Sequence, residues 1–219
     1  NRVKKRIYIA GPKGVLKLKS IFNKDCGWSG EKSTFERKIS YKPVAPTTKP
    51  KIYLVTVPKA NQAQIRFGRF LNEGEFNNEA LISLSSEYLG GGFTSKLMRE
   101  IRVKRGLSYT ASAYAGGQRQ YGRSVISTFT KESTVGELVG VVKNVLIDAS
   151  EGKVADKDFK RAQMGLAGST PFRFERTSSY MDQLMRIDDR KKSYSSLYNF
   201  SDEVRKLKKD DVIKGITTF

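Results

Sequence analysis

Tyr88-Leu-Gly-Gly-Gly-Phe-Thr-Ser-Lys-Leu-Met-Arg-Glu-Ile-Arg-Val-Lys-Arg-Gly-Leu-Ser-Tyr109 is the stretch on which the reading of this chain turns. Three glycines separate two segments of helical periodicity. Before them, Asn77 and Asn78 can cap a helix with Leu81, Leu84, Tyr88 and Leu89 on one stripe. After them, Thr94 or Ser95 caps a second helix that turns Leu97, Met98 and Ile101 inward, displays Lys96, Arg99, Arg102 and Lys104 elsewhere, and closes near Gly106. Consecutive glycines permit close backbone approach. The helix start just beyond them suits a bound anion or, more simply, an ordinary helix-to-helix turn.

Working outward, residues 109–115 and 123–130 alternate as two antiparallel strands joined across 116–120. A strong amphipathic helix follows over 134–149, with Leu138, Val141, Val142, Val145 and Leu146 on one face, and further helices are predicted at 156–167, 174–187 and 209–219. Upstream, 63–71 reads as a strand, and 51–58, apolar on both faces, as a buried one. Pro43, Pro46 and Pro50 mark 29–50 as an extended linker, preceded by a strand over 2–10 and a helix through Leu18, Ile21 and Phe22 that stops at Gly27. Strand pair, helices, strand pair, helices is not the alternation of a doubly wound sheet. It predicts a layered α+β domain.

Composition excludes whole classes of chemistry. The chain has no histidine, so a Ser/His/Asp triad, a Cys/His dyad and a His-based zinc helix are all ruled out. The single cysteine, Cys26, rules out an internal disulfide framework and a cysteine zinc cluster. Reaction chemistry therefore has to borrow groups from another domain or chain. No apolar run reaches the roughly 18 residues of a membrane span, and residues 1–9 show no signal-peptide core. The chain reads as soluble, periplasmic or cytoplasmic. A net charge of +19 favours acidic partners at long range, but the charges are interspersed, so a solvated basic surface is the simpler reading and a dedicated nucleic-acid site is disfavoured.

Taken whole, the 88–109 stretch closely resembles the C-terminal, non-metal-binding half of the pitrilysin/insulinase-type zinc metallopeptidases, in which L-G-G-G-x-x-S-x-L, E-I-R and R-G-L-x-Y follow in this order. The resemblance extends to Leu54-Val55, Gln62-Ala-Gln-Ile65 and Gly68, and to 11–28 with its terminal Gly27-Trp28. Beyond Lys131 it rests on helix placement and the 204–212 stretch. It implies a two-layer α+β fold, a mostly antiparallel mixed sheet with helices on one face. It also implies auxiliary catalytic roles for Arg102 and Tyr109, seven positions apart, toward the substrate and its oxyanion.

By the same resemblance Gly90, Gly91 and Gly92 form a substrate-side glycine loop. Phe93 is expected in the core, with a place in the chamber wall as the alternative. Gln62 and Gln64 lie on a strand that a peptide substrate can extend, or are plain surface glutamines. No metal ligand and no cofactor is expected in this chain, zinc belonging to the metal-bearing N-terminal half or partner subunit. Alone, the chain is expected to be inactive. The alternative function is a non-catalytic partner or scaffold subunit of a heteromeric peptidase. The resemblance divides the chain into 1–28, closing a preceding half, a linker at 29–50, and a C-terminal domain at 51–219 without its final strand. It leaves open that 3–9 fills that strand's place, within the chain or by a swap in a homo-oligomer.

Overall fold

The computed structural model describes residues 7–11, 49–117 and 121–219. The chain divides into two compact units, Asn1–Lys42 with Pro171–Leu197, and Pro43–Thr170 with Tyr198–Phe219. The second unit carries a three-stranded antiparallel sheet of β1 (Ala63–Leu71), β2 (Ala111–Gly117) and β3 (Gly122–Thr130), in the order β1-β3-β2. Ala63 and Ala111 lie opposite Thr130 and Thr128 of the central strand. Around it run α1 (Glu73–Phe76), α2 (Glu79–Gly90), α3 (Lys96–Met98), α4 (Val135–Ser150) and α5 (Asp156–Ser169), then α8 (Lys209–Ile216). Helix α6 (Thr177–Asp189) belongs to the first unit, and α7 (Ser196–Lys206) follows it in the chain.

Strand periodicity accounts for the two layers. On β1, Ile65 and Phe67 pack on the core while Gln64, Arg66, Gly68 and Phe70 face outward, and on β3 Gly122, Ser124, Ile126, Thr128 and Thr130 are buried in strict alternation. The helices cover the buried face with Leu84, Leu89, Leu97, Ile101, Leu138, Val142, Val204 and Val212, each fully buried. The fold is thus α+β with helices on one face, as expected, and every described strand pair is antiparallel. Local chemistry starts the helices: the Asn78 side chain accepts the Leu81 N–H at 3.0 Å, and the Asn72 N–H donates to Glu75 at 2.8 Å in a capping box at α1.

The two sheet edges differ. The β2 edge is covered: the Ala115 N–H donates to the Ser86 hydroxyl of α2 at 2.9 Å, and the Ala111 N–H points at the Met98 sulfur of α3 at 3.1 Å. A methyl group on Gly90 would fall 2.2 Å from the Ala113 nitrogen, so only glycine lets the end of α2 approach β2 this closely. No described strand pairs with the other edge of β1.

Several expectations need correction. Residues 51–58 do not form a buried strand; Ile52, Tyr53, Leu54 and Val55 are exposed, ahead of a turn in which the Ala60 N–H donates to the Val57 carbonyl at 3.3 Å. Two apolar faces show that a segment tolerates cover, and here no described strand supplies it. Residues 7–10 form no strand either, with Ile7 and Ile9 exposed and the Tyr8 hydroxyl donating to Asp188. The strand expected over 2–10 is thus not formed by its described part, and 3–6, the helix ending at Gly27 and all of the linker but its last two residues lie outside the described residues. Helix α7 was not anticipated, and α6 begins at Thr177 after a 3-10 turn at Thr170–Phe174.

Candidate functional site

The glycine segment does what its residues dictate at one end and something less legible at the other. Helix α2 ends at the buried Gly90, Gly91 and Gly92 are exposed, and Ser95 begins α3. Helix α3 then changes pitch: Arg99–Val103 is a π-helical turn, in which the Lys104 N–H donates to the Arg99 carbonyl five residues back at 3.0 Å. The chain leaves this turn through Gly106, whose φ of 63° is a left-handed conformation that glycine adopts without strain.

That widened turn brings Arg102 to Tyr109. The guanidinium carbon of Arg102 lies 4.3 Å from the centroid of the Tyr109 ring and 5.1 Å from that of Phe93. Tyr109 is 66% and Phe93 69% exposed, so both rings face solvent, and Phe93 stands out from the core in which it was expected. The backbone beside Tyr109 is fixed from the central strand, because the Thr128 hydroxyl donates to the Thr110 carbonyl at 2.9 Å and the Thr130 hydroxyl to the Leu107 carbonyl at 2.7 Å. The ring is presented on an anchored loop.

The same π-turn also enters an ion cluster through Arg99. Asp158, in the first turn of α5 and 6% exposed, receives both terminal nitrogens of Arg99, one at 2.9 Å, and Arg161 at 2.9 Å. The same Arg161 nitrogen donates to the Thr94 carbonyl at 2.6 Å, so one carboxylate ties down both the π-turn and the loop that carries Phe93. The Arg99 hydrogen bonds hold the Asp158 carboxyl below its ordinary range, and Asp158 in return raises Arg99. Burial pushes the neighbouring Tyr88 hydroxyl up to about 12, with the Asp158 charge adding to the effect, and that hydroxyl has no partner among the described residues.

Of the residues singled out in the sequence, the structure brings Arg102 and Tyr109 into contact and puts Gly91 and Gly92 on the surface beside Phe93. Gly90 is given to packing against β2. Gln64 lies on the outward face of β1 and Gln62 just ahead of it, both exposed, on the strand whose far edge has no partner strand among the described residues. Asp158 and Arg161 escaped sequence reading: 59 residues separate Arg99 from Asp158, and an acidic residue opening a helix is already explained by its terminus. The donor set does not fit a zinc site, since the chain has no histidine and, among the described residues, no group of three or more Cys, Asp or Glu side chains can hold a metal. No described helix is long and apolar enough to cross a membrane.

Comparison with known proteins bears on the family and the fold. The family model of the peptidase M16 inactive domain matches residues 15–166. An uncharacterised zinc protease of Streptomyces coelicolor is 31% identical over 96 residues, covering 44% of this chain and 21% of that protein. The non-peptidase homolog YmxG of Helicobacter pylori is 33% identical over 103 residues, covering 43% and 22% respectively. The match thus spans about a fifth of the length of these curated relatives. Among solved structures, a peptidase M16 inactive domain from Pseudomonas fluorescens superposes with a TM-score of 0.64 at 23% identity, over 71% of this chain and 37% of that one, a likeness of fold.

Proposed function

Because this chain belongs to the peptidase M16 inactive-domain family, we propose that it is the substrate-binding half of a zinc endopeptidase, assisting a reaction whose metal sits on a partner half. The observation that carries the reading is the contact of Arg102 with Tyr109, solvent-facing and anchored, in a chain without histidine. Amide hydrolysis builds negative charge on the carbonyl oxygen, and a donor aimed at that oxygen lowers the barrier. The Tyr109 hydroxyl is such a donor. The Arg102 fork bonds a peptide carbonyl and fixes the tyrosine ring against it. Gly91 and Gly92, lacking side chains, leave room for a peptide backbone, and Gln62 and Gln64 flank a strand edge that no described strand pairs with, to which a peptide can add regardless of its sequence.

Combining the chain with a metal-bearing half from the same genome tests this. Peptide cleavage should depend on both halves, and Tyr109→Phe or Arg102→Ala should each lower kcat by about 10- to 100-fold with the unfolding midpoint nearly unchanged. Wild-type turnover in both variants would remove the two residues from the site. The likeness to a non-peptidase homolog supports a second reading, a scaffold subunit without a part in cleavage. Its mark would be a stable complex with the partner half whose activity ignores Arg102 and Tyr109.

A further inference from the structure

The second helix of the glycine segment is crowded with cations, and all but one of them have partners. Glu100 takes Lys96 at 3.6 Å, Lys104 at 2.8 Å and Arg105 at 3.0 Å, while Asp158 takes Arg99. Arg102 has no carboxylate within ion-pair reach among the described residues; its neighbours are the rings of Phe93 and Tyr109. A ring interacts with the face of a guanidinium, whereas its N–H groups point outward in the plane. The two rings flank the guanidinium without neutralising it, so the fork keeps its charge available for an acceptor on a ligand. A charged acceptor bonds such a fork about twice as strongly as a neutral carbonyl, and often in bidentate fashion.

We propose that Arg102, flanked by Phe93 and Tyr109, reads a carboxylate on the peptide substrate, so that the site favours peptides carrying an acidic group next to the bond held at Tyr109. Phe93 is then a positioning residue that acts through Arg102. The inference rests on the substrate-binding reading above and names the class of peptide. The net charge of +19 draws such peptides in at long range, but cannot by itself distinguish one acidic position from another. The carboxylate can come from an Asp or Glu side chain or from a free C-terminus, since the fork bonds both alike.

Three labelled peptides of one sequence separate these sources by fluorescence anisotropy on the chain as it stands. One carries an internal Glu and an amidated end, one has Gln in that place and an amidated end, and one has Gln and a free carboxyl end. At least one acid-bearing peptide should bind about tenfold more tightly than the neutral peptide. Arg102→Gln should abolish that preference and Arg102→Lys retain part of it. Phe93→Leu should cut it two- to threefold, and Phe93→Tyr should restore it. Lys104→Gln, which removes the same charge two residues away, should leave it intact.

Equal binding of acidic and neutral peptides would overturn the inference, as would an equal loss in Lys104→Gln and Arg102→Gln, which would assign the preference to the general field. In either case the cleavage assay above still judges Arg102 and Tyr109 as substrate-side residues. Binding of none of the peptides would count against both the preference and the substrate-binding role.

Discussion

Arg99 and Arg102 are three residues apart on one widened helical turn, and their surroundings are opposite. Arg99 is locked by a buried carboxylate that Arg161 shares; Arg102 lies against the rings of Phe93 and Tyr109 and has no carboxylate partner among the described residues. The same side chain serves as a bolt in one place and an open hand in the other. Position on the helix does not decide between them, because both lie outside the stripe that the core claims. What decides is whether a neighbouring element brings a carboxylate, and α5 brings Asp158 to one side only.

The largest expected effect tests whether that division is real. Asp158→Ala should cost about 3 kcal/mol of stability, because it strips the partner from two arginines and loosens both the π-turn and the Thr94 loop. Arg102→Ala should cost less than about 1 kcal/mol, since it removes only exposed ring contacts. Chemical denaturation of the two variants side by side makes the comparison, and equal losses would break it.

A smaller effect, about 2 kcal/mol, is expected for Gly90→Ala, whose new methyl group would press on the β2 backbone at Ala113. It sharpens the comparison by assigning the first glycine of the triplet to the locked side. A melting temperature like that of the unaltered chain would return Gly90 to the open side.

The smallest effect is read from pH. Asp158 has a lowered pKa, so its contribution is complete above the ordinary aspartate value of about 4 and is lost as pH falls through the lower value of the folded state. Tyr88 is shifted upward, so stability should decline as pH rises from about 10 toward about 12. Thermal melts of Tyr88→Phe should lose that alkaline decline and match or exceed the original protein at pH 7, because an unpaired buried hydroxyl is removed. Persistence of the decline in Tyr88→Phe would place its origin elsewhere.

How much of this was legible follows from the range over which each feature is determined. Strand β1 was read at its actual bounds, 63–71, because alternation on a half-covered sheet is written residue by residue. The Asn78 cap and the buried stripe of α4 were equally local. Residues 51–58 were misread because an apolar segment does not say which element covers it, and among the described residues none does. At the candidate site, the motif singled out Arg102 and Tyr109, which lie in contact, while burial could not be inferred for Phe93, whose ring is exposed beside a guanidinium. Asp158 left no trace at all, since a contact across 59 residues is a property of the packed helices and not of either segment.

A π-turn is, in bookkeeping terms, a helix holding one residue more than its neighbours need. Arg99–Val103 closes with bonds five residues apart where an α-helix would use four, so everything downstream is set by that surplus residue. Loss of any one residue between Arg99 and Val103 would let the turn relax to α geometry, and the exit toward Gly106 would swing by about 100°. Tyr109 is held from the sheet by Thr128 and Thr130 and would not follow. The partnership of Arg102 with its tyrosine is therefore exposed to a single-codon deletion, which would part the pair and also disturb the Arg99 lock on Asp158.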